Sequence, residues 1–597
     1  MNASSWQCAV LLCGLGFSAA GACRSSGEVT SGQTPLAARN VTAASDASPN
    51  SAPSAPAPAR AYVAARVPLG VNLSAVNYYA TALPFVDVMK MADPFLSTHA
   101  PSAAVQPVWD TELADKIARD ENGYPLEAPT NVPGAAAPQI LRASTAATLY
   151  GGHYVVLYDG DGELEFPASP ATVSSRAPGR VELDVLADPQ RTLFVAIVRS
   201  NRLDHVRNIR VLLPGYERSY AREPFHPTFL SRLAGVGALR FMDWGATNNH
   251  ALARWSERTL PQMQQGGARG VAYEYMIDLA NRVGADPWFC IPHRADDTYV
   301  TELAKLIKSK LDPKRRFYIE YSNELWNGIF EQAAWAKEQG CRAGLNKHGQ
   351  YAGSCADDGA RHWAGVKWNA RRSGEIFRSF DAVFAETPTR FTRVLAGQAQ
   401  NEHLNAVLLA SFADAAINPA QNRADVLAIA PYVGGSLASE ITEHAEAASM
   451  TVPALIERLD KLVASEVSEP TRANRALAQK HGLRLIAYEA GQHLVAYGAA
   501  SQNQAFVDKL IAANRDTRMR SVYMHMLDAW YANSDQGLLM LFNYIETPNK
   551  YGVWGLLEHQ EQSMAEAPKY QAFFDRLQRL GSPGAQANTA APGSVQP

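Results

Sequence analysis

The chain has 597 residues, 47% of them hydrophobic and 19% charged, with a formal net charge of -3. That length exceeds what one hydrophobic core supports, so one large domain with a second, inserted or appended, is expected. The even charge balance, with no long basic field, argues against polyanion binding and so against nucleic acid as a partner.

Residues 1–23 read as an export signal: an apolar run from Cys8 to Ala22, with small residues at Ala19, Ala20, Gly21 and Ala22 before Cys23. The run is too short for a membrane span. No Lys or Arg precedes it, and Ala20 stands where a bacterial lipoprotein signal carries Leu, so the stretch resembles a degenerate lipobox. Export is expected, to the medium, the periplasm or the cell surface. Two end states stay open, a free protein and one attached to a membrane through a lipid on Cys23. Removing the signal leaves Cys23, Cys290, Cys341 and Cys355. Cys341 and Cys355 are close enough in sequence to staple one loop in an oxidising compartment, whereas Cys290, in an apolar run, reads as an inert buried thiol.

Residues 24–60 are Ser, Ala, Pro and Thr with few large apolar groups, a disordered tether, and residues 581–597 form a disordered tail. Order begins at Val67–Leu73, a strand-like run followed by Tyr78 and Tyr79 and an amphipathic stretch from Phe85 to Met91. From 96 to 215 the pattern changes to loops with several Pro residues and then short runs at Tyr154–Tyr158, Glu163–Phe166, Arg180–Val185, Thr192–Val198 and Arg207–Leu213. Turn signals separate these runs, as expected of an antiparallel sheet or small sandwich. It would serve as a carbohydrate-binding module, or as a lid or wall of a cleft.

After residue 216, strand-like and helix-like runs alternate. The strand runs are Leu239–Trp244, Pro287–His293, Arg316–Tyr321, Arg393–Gly397, Val426–Tyr432, Arg484–Glu489 and Ser521–Met526; helical stretches include Val271–Val283, Tyr299–Leu311, Leu455–Ala464 and Gln504–Ala513. With Val71 the strands number eight. The expected fold is therefore α/β, a (β/α)8 TIM barrel over 67–95 and 216–580, with a β-rich subdomain inserted between its first and second strands. No G-x-G-x-x-G follows a strand, which disfavours a dinucleotide fold.

Strand four ends in Ser322-Asn323-Glu324 and strand seven in Tyr488-Glu489. Both acids then sit on the carboxyl-terminal rim, where the βα loops of such barrels converge on one pocket. Glycosidic cleavage needs such a pair, one carboxyl protonated to donate to the leaving oxygen and one ionised to attack the anomeric carbon. A separation of roughly 5–5.5 Å gives retention. The plainer reading is that Glu324 caps the following helix.

The Asn323–Glu324 pair on strand four with Glu489 on strand seven resembles the clan A retaining glycoside hydrolases, family 5 being the nearest comparison, over about Val67 to Gln560 without the insertion. The resemblance implies Glu324 as acid/base, Glu489 as nucleophile and Asn323 as a ligand of the sugar 2-hydroxyl. It also implies Arg240 as the group holding the nucleophile ionised, His293 as a substrate contact, Tyr432 as the hydroxyl orienting the nucleophile and Trp530 as the sugar platform. Strand six departs from the family 5 pattern, with Ala430 where that family has a histidine. Trp244, Trp326, Tyr531 and Trp554 are further candidate stackers.

The cluster His293-x-x-Asp296-Asp297 lacks a second histidine, so no metal and no organic cofactor are expected. No G-x-S-x-G elbow is present, which counts against an esterase. The expected function is a retaining glycoside hydrolase acting on a β-linked polysaccharide, endo-acting because the insertion and the long connection after Glu324 would line a cleft. The alternatives are a catalytically inactive carbohydrate-binding surface protein on a barrel scaffold and a barrel esterase or lyase.

Overall fold

The structure is a computed structural model that describes residues 66–99, 108–128, 135, 137, 139–443 and 449–581. The expected export signal with Cys23, the tether and all but the first residue of the tail lie outside them.

The first strand, β1 (Leu69–Asn72), is followed by eight antiparallel strands. These are β2 (Leu96–His99), β3 (Gln139–Thr148), β4 (Gly152–Asp159), β5 (Gly162–Glu165), β6 (Ala171–Ala177), β7 (Arg180–Val185), β8 (Asp188–Ser200) and β9 (Arg207–Leu212). They pair into two four-stranded sheets, β2-β3-β8-β5 and β6-β7-β4-β9. Asp87 ties them to the barrel side, its carboxylate accepting from Val211 N (2.8 Å) and Met89 N (3.1 Å). The amphipathic stretch expected over Phe85–Met91 holds only a short 3-10 turn, Val88–Met91, with Phe85 and Asp87 in isolated bridges.

Then come β10 (Ala238–Arg240), β11 (Asp286–Ile291), β12 (Phe317–Tyr321), β13 (Phe391–Ala396), β14 (Val426–Ile429), β15 (Arg484–Ala487) and β16 (Leu539–Leu541). With β1 they close a parallel eight-stranded barrel in chain order, β16 pairing back onto β1. The fold is a TIM barrel. Its strands are buried on both faces, which explains their nearly continuous apolar sequences.

One strand was expected in the wrong place. Ser521–Met526 is part of a helix, Met519–Asn533, and the eighth strand is the three-residue β16. The helix buries Val522, Tyr523, Met526, Leu527, Trp530 and Tyr531, a 3.6-residue rhythm that a six-residue window does not separate from an apolar strand.

Successive side chains of a strand point to opposite faces. In this barrel the inward set is Ala238, Trp288, Cys290, Tyr318, Val394, Val426, Ala428, Ile486, Tyr488 and Met540, one packed cluster. The same parity aims Asn72, Arg240 and Glu320 inward near the carboxyl ends of their strands. The interior is full: a Cβ on Gly70 would lie 2.5 Å from both Ala238 O and Met540 Sδ.

Beyond β12, the helix Glu331–Arg342 packs on the long helix Asp358–Val383, and the loop between them is closed by a Cys341–Cys355 disulfide with Cα atoms 6.1 Å apart. The two helices touch backbone to backbone, since a Cβ on Gly340 would lie 2.0 Å from Ala364 O. An exposed helical Gly→Ala change stabilises by about 0.5–1 kcal/mol. Gly340→Ala is expected instead to destabilise by about 1–3 kcal/mol, because the helices must part. Urea unfolding of the variant checks the sign.

Candidate active site

The rim above β12 is shaped by its backbone. Ser322 and Glu324 have φ of 59° and 42°, left-handed values that turn the chain sharply at the strand end, and Asn327 N closes the turn on Glu324 O at 2.8 Å. Glu324 does not cap the following helix, which starts at Glu331 after Phe330. Its carboxylate instead accepts from Tyr488 Oη (3.1 Å) on one oxygen and Asn327 Nδ2 (2.9 Å) on the other.

Glu489 follows β15 and is 6% exposed. One of its oxygens accepts from Arg240 (2.8 Å) and the other from Tyr432 Oη (3.0 Å). Arg240, 0% exposed, also donates to Asn72 Oδ1 (3.0 Å), to Asn323 Oδ1 (2.9 Å) and, through two nitrogens, to Glu320 (2.9 and 3.2 Å). Trp288 Nε1 donates to the same Glu320 oxygen at 2.9 Å. Asn323 Nδ2 donates to Asn248 Oδ1 (3.1 Å), and Gln332 clamps both Asn248 and the Asn323 carbonyl (2.7 and 2.9 Å).

Glu489, Arg240, Asn323 and Tyr432 are thereby joined in one hydrogen-bonded network, and Glu324 lies close enough for its charge to act on Glu489. Burial and the charge of Glu324 push Glu489 up, to about 8, against the pull of Arg240 and Tyr432. Two carboxyls enclosed together cannot both ionise at low cost, so the pair retains one proton into the neutral range. Glu489 faces the guanidinium of Arg240 and the Tyr432 phenol, and Glu324 receives the Tyr488 phenol and the Asn327 amide, so the positive charge on the pair stands on the Glu489 side.

His293 lies past β11 on the same rim, 2% exposed. Its Nε2 accepts from Arg294 Nε at 3.2 Å, its Nδ1 is buried without a partner, and burial together with the Arg294 charge pushes it down to about 3. It is a neutral imidazole. Asp296 and Asp297 are otherwise engaged, one accepting from Tyr299 N (2.7 Å), the other paired with Arg372 (2.6 Å). Among the described residues no group of three His, Cys, Asp or Glu side chains could hold a metal ion.

Trp530 is not at the site. It is 0% exposed within the helix Met519–Asn533, its indole donating to Gly537 O at 2.8 Å, because the segment expected as strand eight lies outside the barrel. Tyr531 and Trp244 are likewise core residues, Tyr531 bonding Pro68 O and Trp244 stacking among Phe85, Phe229 and Phe241. Trp326 is half-buried beside Glu324. Trp554 packs against Tyr432, the phenol that bonds Glu489, its ring meeting Tyr432 at 5.7 Å, His493 at 5.1 Å and Phe542 at 5.9 Å.

Asn72, Glu320, Tyr488, Asn327 and Asn248 went unread in the sequence. Three of them carried a usable signal: Asn72, Glu320 and Tyr488 are polar residues at inward positions of otherwise apolar strands.

No protein-family model and no curated protein matches the sequence. Solved structures that align with it include a GH51 arabinofuranosidase from Xanthomonas axonopodis pv. citri, at 12% identity over 60% of this chain and 68% of that one, TM-score 0.36. A CBM22-1–GH10 xylanase 10B from Clostridium thermocellum aligns at 9% over 80% and 97%, TM-score 0.32. A Bacteroidetes-affiliated GH5 cellulase aligns at 11% over 62% and 88%, TM-score 0.29. These are glycoside hydrolases, but at such scores they transfer no residue role, and the fold rests on the strand order alone.

The shared proton gives a stability test. The folded pair keeps it to about pH 8, whereas an unfolded Glu releases it near 4.5. Between those values the folded state binds more protons than the unfolded, so stability from this source falls as pH rises. Glu489→Gln removes one of the two charges. The stability difference between variant and wild type is expected to move in the variant's favour from pH 4.5 to pH 8, measured by urea unfolding at several pH values.

Proposed function

We propose that the protein is a retaining glycoside hydrolase that cleaves β-glycosidic bonds of a polysaccharide by double displacement, acting within the chain. The observation that carries this reading is the pair of buried carboxyls close enough for the charge of Glu324 to act on Glu489, with a guanidinium and a phenol on Glu489 and the Tyr488 phenol and Asn327 amide on Glu324. A binding protein gains nothing from burying two acids face to face, at a cost in stability. Sugar cleavage requires them.

In the first step an oxygen of Glu489 attacks the anomeric carbon while the bond to the leaving oxygen breaks, and that oxygen takes the proton of Glu324. In the second, water attacks the same carbon, Glu324 receives its proton, and Glu489 is released as carboxylate. Arg240 keeps Glu489 ionised and Tyr432 fixes its second oxygen. Asn323, its own amide oriented by Arg240 and Asn248, offers Nδ2 toward the sugar 2-hydroxyl, where a bond that strengthens in the transition state contributes most. Trp554 replaces Trp530 as the ring beside the cleavage site. His293, held neutral, is a hydrogen-bonding group for substrate.

Export to an oxidising compartment belongs to the same reading. The Cys341–Cys355 bond supports it, since such bonds persist where thiols are not kept reduced.

Glu489→Ala is expected to abolish reducing-end release from a panel of β-glucan, mannan and xylan polymers, with azide restoring turnover and giving a glycosyl azide of inverted configuration. Glu324→Gln should lower kcat by about 10²–10⁴-fold on substrates with poor leaving groups. Wild-type turnover in either variant rejects the assignment. The alkaline limb of kcat/KM should fall near pH 8, where the pair loses its last proton and the acid is spent.

A further inference from the structure

Seven large hydrophobic side chains are exposed among the described residues, and three of them, Tyr79, Val108 and Trp109, fall in one patch, at 59%, 38% and 49% exposure. Tyr78 joins them: its ring centroid is 5.1 Å from Tyr79, edge to face, and 6.2 Å from Trp109 at a tilt of 34°. Isolated apolar residues on a surface need no explanation, but a contiguous group marks a binding surface.

The rings are held in place. The Arg142 guanidinium lies 4.2 Å from the Trp109 ring and 4.7 Å from Phe194, and donates to Trp109 O at 3.0 Å. Phe194 meets Trp109 edge-on at 5.8 Å. One face of the indole is therefore backed by a cation, and the residue is 49% exposed. Thr98 Oγ1 fixes the segment by donating to Val108 O at 2.6 Å. Rings ordered before binding lose little entropy when a ligand arrives.

The patch crosses from the two inserted sheets to the catalytic rim. Trp109 lies between β2 and β3, whereas Tyr78 and Tyr79 lie on the loop leaving β1, six and seven residues past Asn72, which holds Arg240. Ser74 of that loop bonds Ile545 O, just past β16. Burial, with the charges of Asp93, Glu546 and Asp243 nearby, raises the Tyr79 phenol. Asp243 and Glu546 stand on the rim past β10 and β16, Asp243 within reach of the Arg240 charge.

We propose that Tyr78, Tyr79 and Trp109 form a distal sugar-binding ledge that extends the active-site cleft onto the inserted sheets and holds an uncharged polysaccharide chain. Flat rings match the C–H faces of sugars. Asp93, Asp243 and Glu546, whose charges reach Tyr79, accept hydrogen bonds from sugar hydroxyls, and above about pH 7, where burial still lets them ionise, they disfavour a uronate polymer against a neutral chain. Endo-action follows, because a ledge at this remove from the acid pair engages only substrates longer than the bond being cut. The ledge deepens the glycosidase reading and rests on it for substrate class.

The test is affinity electrophoresis of the full chain in gels carrying hydroxyethylcellulose, glucomannan or arabinoxylan, with polygalacturonate as the charged control. At least one neutral polymer should retard the wild type, and Trp109→Ala and Tyr79→Ala should each raise its Kd by about tenfold. Tyr351→Ala, at an exposed ring elsewhere, should leave it unchanged, and kcat of both ledge variants on a short aryl glycoside should match wild type. Equal retardation of wild type and ledge variants, preference for polygalacturonate, or no retardation by any neutral polymer overturns the ledge. So does a concentration-dependent dimer that Trp109→Ala dissolves, which would give the patch to a second copy. Ledge-dependent binding in a protein that cleaves no polymer leaves the ledge standing and defeats the catalytic reading alone.

Discussion

The buried guanidinium of Arg240 is the interaction on which the site depends. It has no contact with water and serves four side chains at once: two carboxylates, Glu320 and Glu489, and two amides, Asn72 and Asn323. An ion so enclosed is tolerated only when its donors are filled, and here every nitrogen has an acceptor. Removing it would leave two anions in a dry interior, at about 3–5 kcal/mol. The same planar fork that answers this stability problem also fixes the directions of Glu489 and Asn323.

Glu320 makes that arrangement specific. It lies below the rim, inside the barrel, and one of its oxygens collects Arg240, Trp288 Nε1 and Cys290 Sγ (3.4 Å). Arg240 thus stands between a carboxylate beneath and a carboxylate above. Its charge is divided between the two, and burial with the charge of Glu324 outweighs its pull on Glu489. In the mechanism proposed above, a nucleophile held too firmly would be a poor one.

Much of this was legible in the sequence, and the failures have physical causes. Seven of the eight barrel strands announced themselves as apolar runs bounded by breakers, and the acids at the ends of strands four and seven fell on one rim by counting alone. β16 escaped because three residues are too few to show a period, while the preceding helix offered a longer apolar run. Trp530 was misplaced as a direct result. Arg240, Asn323 and Tyr432 were readable because each sits at or just past a strand end. Glu320, inside β12, and Tyr488, just past β15, were hidden because a polar residue in an apolar run is informative only once the pleat parity is known. The ledge could not be read at all, as its rings come from two segments about thirty residues apart whose meeting depends on how the sheets dock.

Tyr488 and Glu489 are neighbours in the chain, yet Tyr488 grips the opposing acid while Glu489 is itself one of the pair. In the mechanism proposed above, one dipeptide then supplies both an acid of the pair and the hydroxyl that positions the other, so the spacing of the two acids is tied to the placement of a single strand end.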